Sequence, residues 1–173
     1  MLAANLLLAL SALLAFASAE YDILWLVNNA YYPLIPITNG TADRIVFTYI
    51  PGQAGPKYKS YRVHRYWGIN VTVAENENNV PPGEYGLQTA SLGNDGGATV
   101  PVYGVLNGKS RRWVVDDYVI TNRPTSSIDG LYACKDEANG KAGVFLRHGL
   151  PSGAKHRHPQ HCYKTVLQQI FNE

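Results

Sequence analysis

What most limits the fold of this chain is the rhythm of its apolar residues: short runs of strand length, cut at close intervals by turn-forming residues. The runs 23–27, 44–50, 58–66, 67–73, 85–89, 100–106, 113–121, 131–134, 144–148 and 163–170 are apolar or alternate apolar with polar. That is the period of a pleated chain with one buried face. Beyond residue 19 no window carries an apolar period of 3.6. At 165–171 a short helix and a closing strand both fit. The breaks have their own chemistry. Asn39-Gly40, Asn107-Gly108 and Asn139-Gly140 each suit a type I′ hairpin, which needs positive φ at both central positions. Pro51-Gly52, Gly55-Pro56, Pro81-Pro82-Gly83, Asp95-Gly96-Gly97 and Asp129-Gly130 interrupt the chain elsewhere. Twelve Tyr and three Trp against a single Met fit strands better than helices. The fold class is all-β.

Trp25, Trp67 and Trp113 recur at near-equal spacing, and each opens a similar phrase: Leu24-Trp25-Leu26-Val27, Tyr66-Trp67-Gly68-Ile69 and Arg112-Trp113-Val114-Val115. Three units of about four strands each are what a β-trefoil contains, six strands closing a barrel and six forming hairpin caps. The expectation is therefore a β-trefoil-like barrel of about twelve short strands, with another closed barrel or a sandwich as the alternative. Closure removes the exposed edges that an all-β protein must otherwise protect.

Residues 1–19 place the rest. An apolar core around Leu6 to Leu14 is followed by Ala17-Ser18-Ala19, small residues at the positions a signal peptidase reads. The expectation is a signal peptide at 1–19 and a single secreted domain at 20–173, large enough for its own core. No later apolar run approaches the ~20 residues of a membrane span, so no membrane partner is expected. Cys134 and Cys162 are the two cysteines, and in an oxidising compartment they are expected to pair. Closing that loop constrains the unfolded chain by about 3.5 kcal/mol. Asn39-Gly40-Thr41 and Asn70-Val71-Thr72 are N-glycosylation sequons. On a strand at 67–73, Trp67, Ile69, Val71 and Val73 share one face, which turns Asn70 and Thr72 outward.

Little in the sequence points to catalysis, a cofactor or a nucleic-acid partner. The net charge is +2 and Lys and Arg are scattered along the chain, where a dedicated nucleic-acid surface would show a basic stripe. His156, His158 and His161 could grip a transition metal, but Cys162 is expected in a disulfide and no carboxylate lies nearby to orient the rings. A solvated basic loop accounts for them. Asp116 and Asp117 are adjacent, so their carboxylates diverge on a strand. Tyr31-Tyr32-Pro33-Leu34-Ile35-Pro36-Ile37 followed by Ala42-Asp43-Arg44-Ile45-Val46-Phe47 resembles a stretch of the guanyl-specific fungal ribonucleases. In those enzymes a Glu two residues before the Pro is the general base and the strand Arg binds phosphate. Arg44 is retained, but Leu34 stands in place of the Glu and cannot accept a proton. His64 aligns with the general acid only across a longer gap. A ribonuclease-like protein without activity is what this stretch implies.

A second resemblance covers about 40 residues. Pro82-Gly83-Glu84-Tyr85-Gly86-Leu87, Val102-Tyr103-Gly104-Val105 and Arg112-Trp113-Val114-Val115-Asp116-Asp117-Tyr118-Val119-Ile120 are similar to the fungal β-trefoil protease inhibitors, the mycocypins and their relatives, and more distantly to the Kunitz soybean-type inhibitors. The resemblance implies a secreted, effector-like fungal protein, a monomer and not an enzyme. It would block an extracellular protease, of a plant host among others, and most readily a papain-like cysteine protease. Two loops fit that role. Asn94, Asp95, Gly96 and Gly97 lie in a stretch free of bulk, like the Gly-containing loops that enter papain-like clefts. Asn76, Asn78 and Asn79 offer asparagines that a legumain-type enzyme could accept. The alternative is a carbohydrate-binding trefoil with an aromatic platform, although Ile23, Arg65 and Arg111 stand where ricin-like lectins carry the Gln of Gln-x-Trp.

Overall fold

The computed structural model describes residues 19–74, 77–89, 99–110, 112–122, 130–138, 140–149 and 161–171. Among them the fold is all-β, with fourteen strands in one continuous sheet and a single 3-10 turn at Glu77–Asn79. The strands are β1 (Glu20–Val27), β2 (Ala30–Pro33), β3 (Ile35–Thr38), β4 (Arg44–Thr48), β5 (Tyr58–Val63), β6 (Tyr66–Val73) and β7 (Gly83–Thr89). They continue as β8 (Thr99–Leu106), β9 (Trp113–Asp116), β10 (Val119–Asn122), β11 (Gly130–Ala138), β12 (Lys141–Gly149), β13 (Cys162–Thr165) and β14 (Leu167–Ile170).

Six strands close a barrel in the order β1, β5, β6, β9, β10, β14, every neighbour antiparallel; the β6–β9 seam rests on a single pair, Trp67 opposite Trp113. The hairpins β3–β4, β7–β8 and β11–β12 lie off this ring, and β4, β8 and β12 pair with one another. The cap they form covers the apolar interior. Alternation decides which residues enter it. Along β1, Tyr21, Ile23, Trp25 and Val27 are buried; along β6, Ile69, Val71 and Val73 are, with Trp67 half-buried against them. Phe47, Tyr85, Leu87, Val102, Ala133 and Leu146 fill the interior from the hairpins. The Tyr58 hydroxyl is buried there and donates to Leu34 O at 2.7 Å, and burial pushes its pKa well above the usual tyrosine range.

The structure departs from the sequence reading in its turns. The predicted strand 113–121 is two strands, folded back at Asp117-Tyr118, both with positive φ. A further two-residue turn, Asn28-Asn29 with φ of 50° and 64°, pairs β1 with β2. β11 and β12 pair up to Ala138 opposite Lys141; Gly140 has positive φ, and Asn139 lies outside the described residues. Asn39-Gly40 lies in a longer β3–β4 loop, and Asn107-Gly108 leaves β8 without forming a hairpin. The segment 31–37, read for its ribonuclease likeness, supplies β2 and β3, which takes the strand count past twelve. Trp67 and Trp113 sit on strands that pair with each other, so the three tryptophans do not mark equivalent places in three units. The ambiguous carboxy-terminal run closes the barrel as β14. Cys134 and Cys162 lie opposite one another on β11 and β13 and form the expected disulfide.

Candidate functional site

Where the hairpins meet, the outward side chains of the cap enclose a cavity of about 260 Å³. Strand register sets its floor. Val46 of β4 stands opposite Tyr103 of β8, and Ile37, Val46 and Phe145 form a small apolar cluster apart from the main core, with Tyr103 against it. Arg44 lies over the Tyr103 ring, 5.7 Å from its centroid. The rim is polar. Arg147 reaches along the hairpin to an ion pair with Asp136, donates from Nε to Thr99 Oγ1 at 2.9 Å, and donates from Nη2 to Thr99 O at 3.2 Å. Asn39 lines the cavity from the β3–β4 loop, and its Oδ1 accepts from Thr41 Oγ1 at 2.7 Å and Thr41 N at 3.1 Å. Ring faces beside fixed donors and acceptors suit a neutral polyol. Two carboxylates line the cavity, Asp136, which pairs with Arg147, and its chain neighbour Glu137.

The two loops chosen from the sequence attach to opposite ends of one strand. Val73 and Gly83 bound the first, Thr89 and Thr99 the second, and β7 lies between them. Six residue steps at ~3.3 Å separate the ends of β7, and so the attachment points of the two loops, by about 20 Å. In the first loop Asn78 and Asn79 both take left-handed φ, 54° and 59°. Val80, fully buried, pins the turn, which packs against β3, and the Tyr85 hydroxyl donates to Pro81 O at 2.8 Å. Asn79 is exposed; Asn78 is half-buried, and its amide nitrogen has no hydrogen-bond partner. Asn76, Asn94, Asp95, Gly96 and Gly97 lie outside the described residues, as do residues 1–18 of the signal segment, Arg111, His156 and His158. His161 is exposed, and among the described residues no three His, Cys, Asp or Glu side chains gather as for a metal ion.

Of the sequons, both asparagines are half-exposed: Asn39 lies in the β3–β4 loop at the cavity, and Asn70 lies on β6, where its Nδ2 donates to Glu84 Oε1 at 2.5 Å. A glycan joined at Asn70 would displace that contact. The residues of the ribonuclease-like stretch are dispersed. Leu34 is fully buried, Arg44 is on a cap hairpin, and His64 is exposed at the β5–β6 turn. Sequence reasoning missed Tyr103, Phe145 and Arg147. They come from β8 and β12, and no local spacing relates them. It also missed His148, fully buried on β12 with neither ring nitrogen hydrogen-bonded; burial pushes it down to about 4. No family model, curated protein or solved structure matches this chain.

Proposed function

We propose that this chain is a secreted β-trefoil, acting as a monomer, that binds and blocks an extracellular papain-like cysteine protease of a host and turns over no substrate of its own. The trefoil reading is supported by the pairing pattern. The barrel strand pairs β1/β5, β6/β9 and β10/β14 each enclose one cap hairpin along the chain. The observation that carries the inhibitory reading is the Asn78-Asn79 turn. Proteases grip substrates as extended chain, and two consecutive left-handed residues fold this segment back, so it can enter a cleft without lying along it as a substrate does. Buried Val80 and the packing on β3 hold the turn before any partner arrives, which lowers the ordering cost of binding.

The test is turnover of a fluorogenic substrate by papain-like, legumain-type and trypsin-like enzymes in the presence of the purified protein. Slowed turnover by a papain-like enzyme is expected. Replacing Asn94 to Gly97, the stretch read for papain-like clefts, should relieve that slowing, and Asn79→Ala should weaken any slowing of the legumain-type enzyme by at least about tenfold, the loss of one well-placed interface residue. No slowing across the panel would end the inhibitor reading. The cap cavity favours a second reading, a carbohydrate-binding module. A glycan array scores it, with Tyr103→Ala expected to abolish any signal if the Tyr103–Phe145 floor is the platform.

A further inference from the structure

Two arginines close in sequence and a third distant one come to one edge of the barrel. Arg62 stands near the end of β5, Arg65 is in the two-residue β5–β6 turn, and Arg112 directly precedes Trp113, the partner of Trp67 across β6 and β9. The segment carrying Arg112 is fastened there: the Tyr61 hydroxyl donates to Ser110 O at 3.1 Å, and Ile69 N donates to Ser110 Oγ at 2.8 Å. Arg62 lies over the Trp67 ring, 5.1 Å from its centroid, and Arg65 lies over the Tyr66 ring at 5.8 Å. The three arginines are exposed, and so is His64 at the turn between the first two. The ion pairs among the described residues belong to Arg44, Lys57, Lys59 and Arg147 and involve none of the three. Asp116 and Asp117, exposed at the adjoining β9–β10 hairpin, pair with none of them either.

We propose that this edge binds a linear acidic polysaccharide through its sulfate or carboxylate groups. A guanidinium held flat against a ring has lost much of its freedom already; Arg62 donates from Nε to His64 O at 3.0 Å, which fixes it further and leaves its Nη groups for an oxyanion. Two such cations, with the exposed Arg112 beside them, match a chain of repeating anions. The rings favour a glycan over a nucleic acid. Tyr66 and Trp67 each carry a guanidinium on one face, and Trp67 packs on the core, so they offer no free platform of the kind that stacks bases in single-strand grooves. The edge reads charge and spacing.

The experiment is a titration of the full-length folded protein, followed by tryptophan fluorescence, with heparin as the sulfated chain and polygalacturonate as the carboxylate chain. Affinity for at least one should fall steeply between about 50 and about 200 mM salt, as counterion release requires. The variant R62Q/R65Q/R112Q should weaken binding at least about tenfold and flatten the salt slope. R62K/R65K/R112K keeps the charge and should keep most of the slope. K135Q/K141Q/K164Q removes equal charge from β11 to β13 and should stay within about twofold of the parent. Thermal melts certify that each variant is folded; if the arginine triple is not, R65Q alone should flatten the slope by about a third of the effect. Equal weakening by both triple variants, tighter binding of a single-stranded RNA than of either polysaccharide, or no binding at low salt would each overturn the proposal.

Discussion

His148 is an imidazole with no hydrogen-bond partner, held between Leu131 and Val100 in the sheet register. Neither neighbour titrates, so burial alone disfavours its charged form and lowers its pKa from 6.5 to about 4. Above pH 6.5 the ring is neutral in both folded and unfolded chains, and its contribution to stability is full. As pH falls from 6.5 toward 4 the unfolded chain takes up a proton that the folded one refuses, and stability drops by up to about 3 kcal/mol. Urea unfolding at pH 7 and pH 4.5 should show that loss in the parent, and His148→Leu should remove most of it. Tyr58 illustrates the opposite economy, a buried polar group that is satisfied. Tyr58→Phe leaves Leu34 O without its donor and should cost about 1–3 kcal/mol by the same assay.

Between elements, glycine sets how closely strands and loops approach. A Cβ on Gly86 would meet Gly108 O at 2.2 Å, backbone that moves only if the loop after β8 moves. A Cβ on Gly68 would meet the Tyr61 ring at 2.2 Å, a side chain that can swing away at the expense of its bond to Ser110 O. Gly86→Ala should therefore be the more damaging, by more than about 3 kcal/mol, with Gly68→Ala nearer 1–3 kcal/mol. The melting temperatures of the two variants decide the order. At the other end of the fold, the disulfide ties β13 to β11 across a sequence separation of 28 residues. C134A/C162A should lose about 3.5 kcal/mol in urea, because the unfolded chain regains the freedom that the bridge denied it.

For the whole molecule, the decisive contact is β1 with β14, since it closes the ring and brings the two ends of the described domain together. Most pairings that build the ring and cap join strands distant in sequence, so loop closure precedes their reward and slow folding is expected. A permutant that joins residues 171 and 20 through a short Gly-Ser linker, with new ends in the exposed stretch 51–54, should fold with the parent's circular dichroism. Deleting 167–173 should abolish the cooperative melt, because it leaves β1 and β10 with unpaired edges facing the core.

Alternation determined which residues of β6 face inward, and runs of strand length cut by turns determined that the protein is all-β; in β1, apolar at every position from Ile23 to Val27, the packing chose the inward face. The pairing of Cys134 with Cys162 was equally legible, since no other partner exists within the chain. Turn chemistry was legible only in part. Ala138 and Lys141 pair on either side of the Asn139-Gly140 step as that step predicts, while Tyr118 takes positive φ against its own preference because the flanking strands, packed on the core, hold it there. Asn78 and Asn79 were legible as a candidate loop, whereas the cap cavity and the full arginine edge belong to tertiary structure. Tyr103, Phe145 and Arg147 share a cavity through the mutual pairing of β4, β8 and β12, and Arg112 joins Arg62 and Arg65 through one contact between β6 and β9. Strand order carries no local signature. It is chosen by which arrangement closes the ring and buries the most apolar surface, and that is a property of the whole chain.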